Sequence, residues 1–193
     1  MVAASLPDLI RFAGDRPLRV MFPMISTLDE LLPARRMLDD AVAKAGSAPD
    51  GLQVGIMVEV PAAALKSATL ARHVDFMSIG TNDLTQYALA ADRGNDAVAT
   101  IGDAFDPGLL ALVQATCAGA RGRVSVSVCG EFAADDRAAG LLLGLGVDAL
   151  SVTPPAVPAV KEAVRAVDRT AMQNLAARAV AAESADEVRA LLG

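Results

Sequence analysis

Residues 76–87 read FMSIGTNDLTQY. A short apolar run with β-branched Ile79 stops at Gly80, and Thr81, Asn82 and Asp83 follow before a segment with helical spacing. An unbroken apolar run of this length predicts a strand covered on both faces, as in a parallel sheet. A carboxylate at the mouth of such a strand is costly to bury unless it is paired or bound to a cation. The stretch therefore predicts a fold class and a site together.

The same pattern recurs at RVMFPM (19–24), QVGIMVEV (53–60), VSVSVCG (124–130) and ALSVT (149–153). Helical patterns lie between these runs. After Ser26 and Thr27, LDELLPARRMLDDAVAKAG opens with acids and closes on Lys44 and Gly46, which are start and stop signals. AAALKSATLARHV, DPGLLALVQATCAGARG, DDRAAGLLLGLG and PAVPAVKEAVRAV follow, and residues 169–192 predict two further short helices. Strand-then-helix repetition predicts an α/β fold of parallel βαβ units. Five units are too few to close an eight-stranded barrel, which takes about 250 residues. An open doubly wound sheet and a partial barrel both remain, and periodicity does not separate them.

At 193 residues the chain has room for one domain, and 53% hydrophobic with 21% charged residues excludes a disordered one. A net charge of −6 argues against nucleic-acid binding, which needs clustered Lys and Arg. No run of about 18 uncharged apolar residues is present, so no membrane span is expected. The first residues, MVAASLPDLIRFAGDRPLRV, lack the basic start and apolar stretch of a signal peptide. Two cysteines, Cys117 and Cys129, are too few for a disulfide scaffold. The expected setting is cytoplasmic, with free thiols.

Chemistry collects where parallel strands end, and several ends here carry unusual residues. Glu59 interrupts QVGIMVEV, Asn82 and Asp83 follow FMSIG, and Cys129 and Glu131 follow VSVSV. Glu59 and Asp83 come from consecutive predicted strands. Two hard oxygen ligands at one sheet end suit Mg²⁺, which fills its other positions with water and substrate phosphate. The alternative for Asp83 is a helix N-cap. Glu59 has no such role, because Pro61 follows too soon. Arg93 in AADRGNDA is either a solvated loop arginine or, opposite a metal-bound phosphate, a bidentate donor. Cys129 is either a small core residue or an acid at the strand mouth. Cys117 lies on an apolar helical face and reads as core. His73, the single histidine, ends a helical pattern and reads as packing rather than catalysis.

MFPMIS (21–26), GIMVEVPAAAL (55–65), DFMSIGTNDLTQYALAADRGN (75–95) and CGEFAADDRAAGLLLGLGVDALSV (129–152) together resemble the C-terminal barrel of enzyme I of the bacterial phosphoenolpyruvate:sugar phosphotransferase system. The match runs in order from about Arg19 to Val167, with residues 168–193 a helical tail. The resemblance implies a partial (β/α)8 TIM barrel over residues 1–193, about five βα units of a phosphoenolpyruvate-utilising enzyme. It implies Glu59 and Asp83 as Mg²⁺ ligands, Asn82 and Asp83 against phosphoenolpyruvate, and Arg93 on its phosphate. Cys129 would be the acid that protonates the enolate carbon as pyruvate forms. It also implies a homodimer, and a histidine-containing phosphocarrier protein reached through an N-terminal domain that precedes the barrel in the family. That domain and two phosphate-gripping arginines of the first half-barrel have no counterpart in this sequence. The expected function is phosphoryl transfer from phosphoenolpyruvate to a histidine in sugar uptake. The alternative is a catalytically incomplete dimerisation or ligand-binding module.

Overall fold

The structure, a computed structural model, describes residues 2–193. Five strands form one sheet: β1 Arg19–Phe22, β2 Gln53–Val58, β3 Phe76–Gly80, β4 Ser125–Cys129 and β5 Ala149–Leu150. All are parallel, and each lies beside the one before it in the chain, in the order β1-β2-β3-β4-β5. A doubly wound sheet reverses its strand order at a switch point. This one never does, so the fold is a run of successive βα units of a barrel and not a doubly wound sheet.

Helices α1 Val2–Ala13, α2 Leu28–Ala45, α3 Pro61–Leu65 and α4 Ser67–Leu70 attend the first two strands. After β3 come α5 Thr81–Leu89 and α6 Pro107–Ala120, and after β4 come α7 Glu131–Ala134 and α8 Asp136–Leu145. The chain ends in α9 Val157–Ala166, α10 Arg169–Val180 and α11 Ala185–Leu192. The start of α2 shows how local chemistry fixes an end. Thr27 Oγ1 accepts from Glu30 N at 3.3 Å, and Glu30 Oε2 accepts from the backbone amides of Ser26 (2.8 Å) and Thr27 (3.0 Å). This is a capping box, and those amides hold the Glu30 carboxyl below its usual range. α1 has no such signal; it carries Pro7 and is not evident in the sequence.

One face of the sheet is core. Val20, Phe22, Val54, Ile56, Val58, Met77, Ile79, Val126 and Val128 are all buried there, alternating along the strands with a second set. That second set, Met21, Gly55, Met57, Phe76, Ser78, Ser127 and Cys129, shares the other face through the register. It is smaller and more polar, and Met21, Met57, Ser127 and Cys129 are only half-buried. The expectation of strands covered on both faces holds for β3, whose five residues are all buried; across the sheet as a whole the main core lies on one face, and the other is the half-buried inner face of the barrel arc. Gly55 is required on it, because a Cβ there would stand 2.4 Å from the Phe76 ring. Arg19 stacks over that ring at 3.9 Å.

A repeated device closes the N-terminal ends of the strands. Asp75 N donates to Val54 O and Asp75 Oδ2 accepts from Val54 N, both at 2.7 Å. Asp148 makes the same pair with Val126, both at 2.9 Å.

Candidate active site

The opposite end of the sheet holds the acidic pair. Glu59 follows β2 and is 6% exposed; its Oε2 accepts from Met24 N at 3.0 Å. Met24 sits at φ 56°, a left-handed conformation unusual for its type, which aims that amide at the carboxylate. Burial pushes the Glu59 carboxyl above its ordinary value; the Met24 amide opposes this, and the neighbouring Asp83 carboxyl adds to it. The two acids therefore meet at one end of the sheet. Room for Glu59 depends on Gly80, where a Cβ would lie 2.7 Å from Glu59 Cγ and 3.0 Å from its Oε1.

Asp83 is not an N-cap. α5 starts at Thr81 with Gly80 as its cap, so Asp83 lies in the first turn with its carboxylate directed elsewhere. Its Oδ1 stands 3.9 Å from Arg93 Nη2. Arg93 is half-exposed in the loop after α5, with its backbone amide on Gln86 Oε1 at 3.4 Å. A cavity of about 100 Å³ beside Arg93 is lined by Asn82, Thr85, Gln86 and Glu131. The Thr85 hydroxyl is buried without a hydrogen-bond partner among the described residues.

Cys129 pairs in register with Gly80, so its thiol lies on the same inner face. Its Sγ is 3.5 Å from Ile79 O, and its carbonyl accepts from Thr81 Oγ1 at 2.9 Å. The chain then turns at Gly130 (φ 95°), where a Cβ would meet Thr81 Oγ1 at 2.7 Å and Asn82 Oδ1 at 3.0 Å. Asn82 Oδ1 accepts from Glu131 N at 3.4 Å. Glu59, Asn82, Asp83, Arg93 and Cys129 thus converge from the ends of three neighbouring strands. Sequence reading missed Met24 as a donor, Gly80 as clearance and Thr81 as the tie to β4. The MFPM and SIGT runs carry them, but only the pairing of strands reveals their use.

His73 lies at the far end, where its backbone carbonyl accepts from Arg35 Nη1. Cys117 is 5% exposed, and burial, with the nearby Asp148 charge, pushes its thiol up to about 12. A cavity of about 860 Å³ also opens at that far end, lined by Asp75, Arg121, Arg123, Asp148 and Arg169. Its two carboxylates, Asp75 and Asp148, are already engaged by strand amides.

Among the described residues no three His, Cys, Asp or Glu side chains converge as a closed metal cage. The donor set of Glu59 and Asp83 nonetheless fits Mg²⁺, a hard cation that binds through one or two carboxylates and keeps water and phosphate ligands. A buried acid crowded by a second acid is also the arrangement that a divalent cation relieves.

The sequence profile described as PEP-utilising enzyme, PEP-binding domain matches residues 1–169. The chain belongs to this family. It is 48% identical over 193 residues to a multiphosphoryl transfer protein of Xanthomonas campestris pv. campestris, covering 99% of this chain and 23% of that protein. It is 43% identical over 179 residues to a phosphoenolpyruvate-protein phosphotransferase of Haloferax volcanii, covering 91% of this chain and 32% of that one. The chain thus spans only a quarter to a third of these relatives. In fold it resembles a citrate lyase crystal structure from Burkholderia xenovorans, with a TM-score of 0.64 at 16% identity, over 98% of this chain and 65% of that one. Among the described residues no helix is long and apolar enough to cross a membrane.

The two thiols give a direct check on the site. At pH 8 a thiol with a pKa of about 12 is ionised to about one part in ten thousand. Half-buried Cys129 should react with a small maleimide at least about tenfold faster than Cys117, read by mass spectrometry of the peptides. Equal, slow labelling of both would make Cys129 a packing residue.

Proposed function

We propose that the chain carries the Mg²⁺ and phosphate-binding part of a phosphoenolpyruvate-dependent phosphotransferase. The observation that carries this reading is the Glu59–Asp83 pair with Arg93 3.9 Å from Asp83, at the ends of consecutive strands in a domain of this family. Glu59 and Asp83 would hold Mg²⁺, which when bound neutralises charge on phosphate oxygens. Arg93 grips the phosphate, and Asn82 lies against the substrate. In the reaction the bridging P–O bond of phosphoenolpyruvate breaks and a P–N bond forms on a histidine of another domain. The electron pair stays with the enolate, whose carbon then takes a proton from the Cys129 thiol to give pyruvate. Position and electrostatics supply the catalysis, as phosphoryl transfer requires. The histidine would pass its phosphoryl group to a phosphocarrier protein in cytoplasmic sugar uptake, with the barrel as the dimerising part.

Titration calorimetry of phosphoenolpyruvate into the chain tests this. Binding is expected with Mg²⁺ and not with EDTA, and Asp83→Asn should lose it. Binding that ignores the metal, or that survives Asp83→Asn, would overturn the assignment. No binding at all, with a dimer in solution, would favour the alternative of a dimerisation module, for which the half-open inner face and unpaired edges of β1 and β5 provide surface.

A further inference from the structure

The segment 90–106 between α5 and α6 presents Arg93, yet its only regular structure is one 3₁₀ turn at Ala99–Ile101. Its bonds are short-range. Arg93 N reaches Gln86 Oε1, Gly94 N reaches Asp92 Oδ1 at 2.9 Å, and Ala97 N reaches Asn95 Oδ1 at 3.1 Å. A loop held this way, with solvent-exposed hydrogen bonds, opens at low free energy unless something else ties it down.

Among the described residues one side chain from beyond α5 and α6 hydrogen-bonds to this loop, while Phe132 and Arg137 pack on its Phe105 ring. Arg189 in α11 grips Asp103 as a two-toothed fork, Nη1 to Oδ2 at 2.7 Å and Nη2 to Oδ1 at 2.8 Å, across 86 residues. The same Oδ1 accepts from Phe105 N at 2.9 Å, so the fork also fixes the turn. The guanidinium lies over the Phe105 ring, 4.9 Å from its centroid. Phe105 is 4% exposed and meets Phe132 edge to face at 4.9 Å. Phe132 lies in α7, three residues after Cys129. Asp186, one turn back on α11, steadies the guanidinium at 3.5 Å. Arg189 lies beyond residue 169, where the family profile ends.

We infer that Arg189 is a positioning residue: through Asp103 and Phe105, the C-terminal helix fixes the loop that presents Arg93 to the Glu59–Asp83 pair. The inference rests on the proposed function for what Arg93 grips, while the coupling itself needs no ligand. Arg189 and Asp103 keep 38% and 24% side-chain exposure, so the contact belongs to the class that adds little to global stability. Its effect is local order, and a two-toothed fork is a geometry lysine reproduces only in part.

Amide hydrogen exchange on the intact chain, read peptide by peptide, tests the coupling. Arg189→Ala should speed exchange in peptides covering 91–106 by about tenfold, leave β2 and β3 unchanged, and be partly rescued by Arg189→Lys. Removing a distant exposed ion pair with Arg11→Ala should leave 91–106 untouched. In calorimetry with Mg²⁺, Arg189→Ala should weaken phosphoenolpyruvate binding by about tenfold. Unchanged exchange in 91–106, or uniform acceleration across the chain, would overturn the inference. So would equal behaviour of the Ala and Lys variants. Altered loop exchange in a chain that binds no phosphoenolpyruvate would support the coupling and overturn the proposed function instead.

Discussion

Glu59→Gln is expected to make the metal-free chain more resistant to heat at pH 8 while weakening Mg²⁺-dependent phosphoenolpyruvate binding by about 100-fold or more. The two effects share one cause. Folding buries Glu59 and sets it against Asp83, so its carboxyl stays protonated to a higher pH in the native chain than in the unfolded one. Between the ordinary carboxylate value and that raised value the native state binds the extra proton, so native stability falls as pH rises through this window and stays lower above it. Glutamine keeps the shape and an oxygen for the Met24 amide but carries no charge. The decline in thermal stability from the ordinary carboxylate value of 4.5 up to pH 8 should therefore be less steep in the variant. A variant less stable than the parent at pH 8 would mean that Glu59 serves the fold and not a cation.

The largest effect on folding is expected at Gly144. This residue sits on the face of α8 that packs against α10, where a Cβ would stand 2.1 Å from Met172 O, 2.6 Å from Met172 C and 3.0 Å from the Ala176 Cβ. Backbone cannot rotate away, so Gly144→Ala must push the two helices apart, at a cost of about 3 kcal/mol. Gly140, one turn earlier on the same face, offers a control. A Cβ there would meet Met172 Sδ at 2.6 Å and Val167 Cγ1 at 3.2 Å, and a methionine end can turn aside. Urea unfolding should rank Gly144→Ala well below Gly140→Ala in stability. Equal losses would mean that α10 is not seated as closely as described.

Some elements were legible and others were not, for physical reasons. β3 begins and ends where its apolar run does, because Gly80 both stops the strand and starts the helix. The acidic start and the Lys44–Gly46 stop of α2, and the two tail helices, were also plain, since their signals are local. α1 carries no capping signal, and AAALKSATLARHV broke into α3 and α4 at Lys66, where tertiary packing decides. Strand order was not legible in periodicity, because period-two patterns do not say which strand lies beside which; the resemblance to a (β/α)8 barrel implied the sequential order that the sheet has. The one-sided core was half legible in QVGIMVEV, where Val54, Ile56 and Val58 alternate with Gly55, Met57 and Glu59. For the site, residue type and position named Glu59, Asn82, Asp83, Arg93 and Cys129, and the parallel register then gathered them at one sheet end; their roles await the experiments above. The Arg189–Asp103 fork left no trace in the sequence, since its partners sit 86 residues apart.

The sequential strand order has a consequence for how the chain assembles. Contacts that join β2 to β3 and β4 to β5 close across only 21 and 22 residues, as in Val54–Asp75 and Val126–Asp148. Joining β3 to β4 spans 48 residues, from Thr81 to Cys129. Closure entropy rises by about 0.6 kcal/mol for each doubling of such a span. The long span exists because the chain detours through 90–106 and α6 before it returns. Of these three pairings, β3 with β4 therefore carries the highest closure cost. That seam runs through the site, where Gly80 faces Cys129, so the site lies across the pairing with the widest separation in sequence.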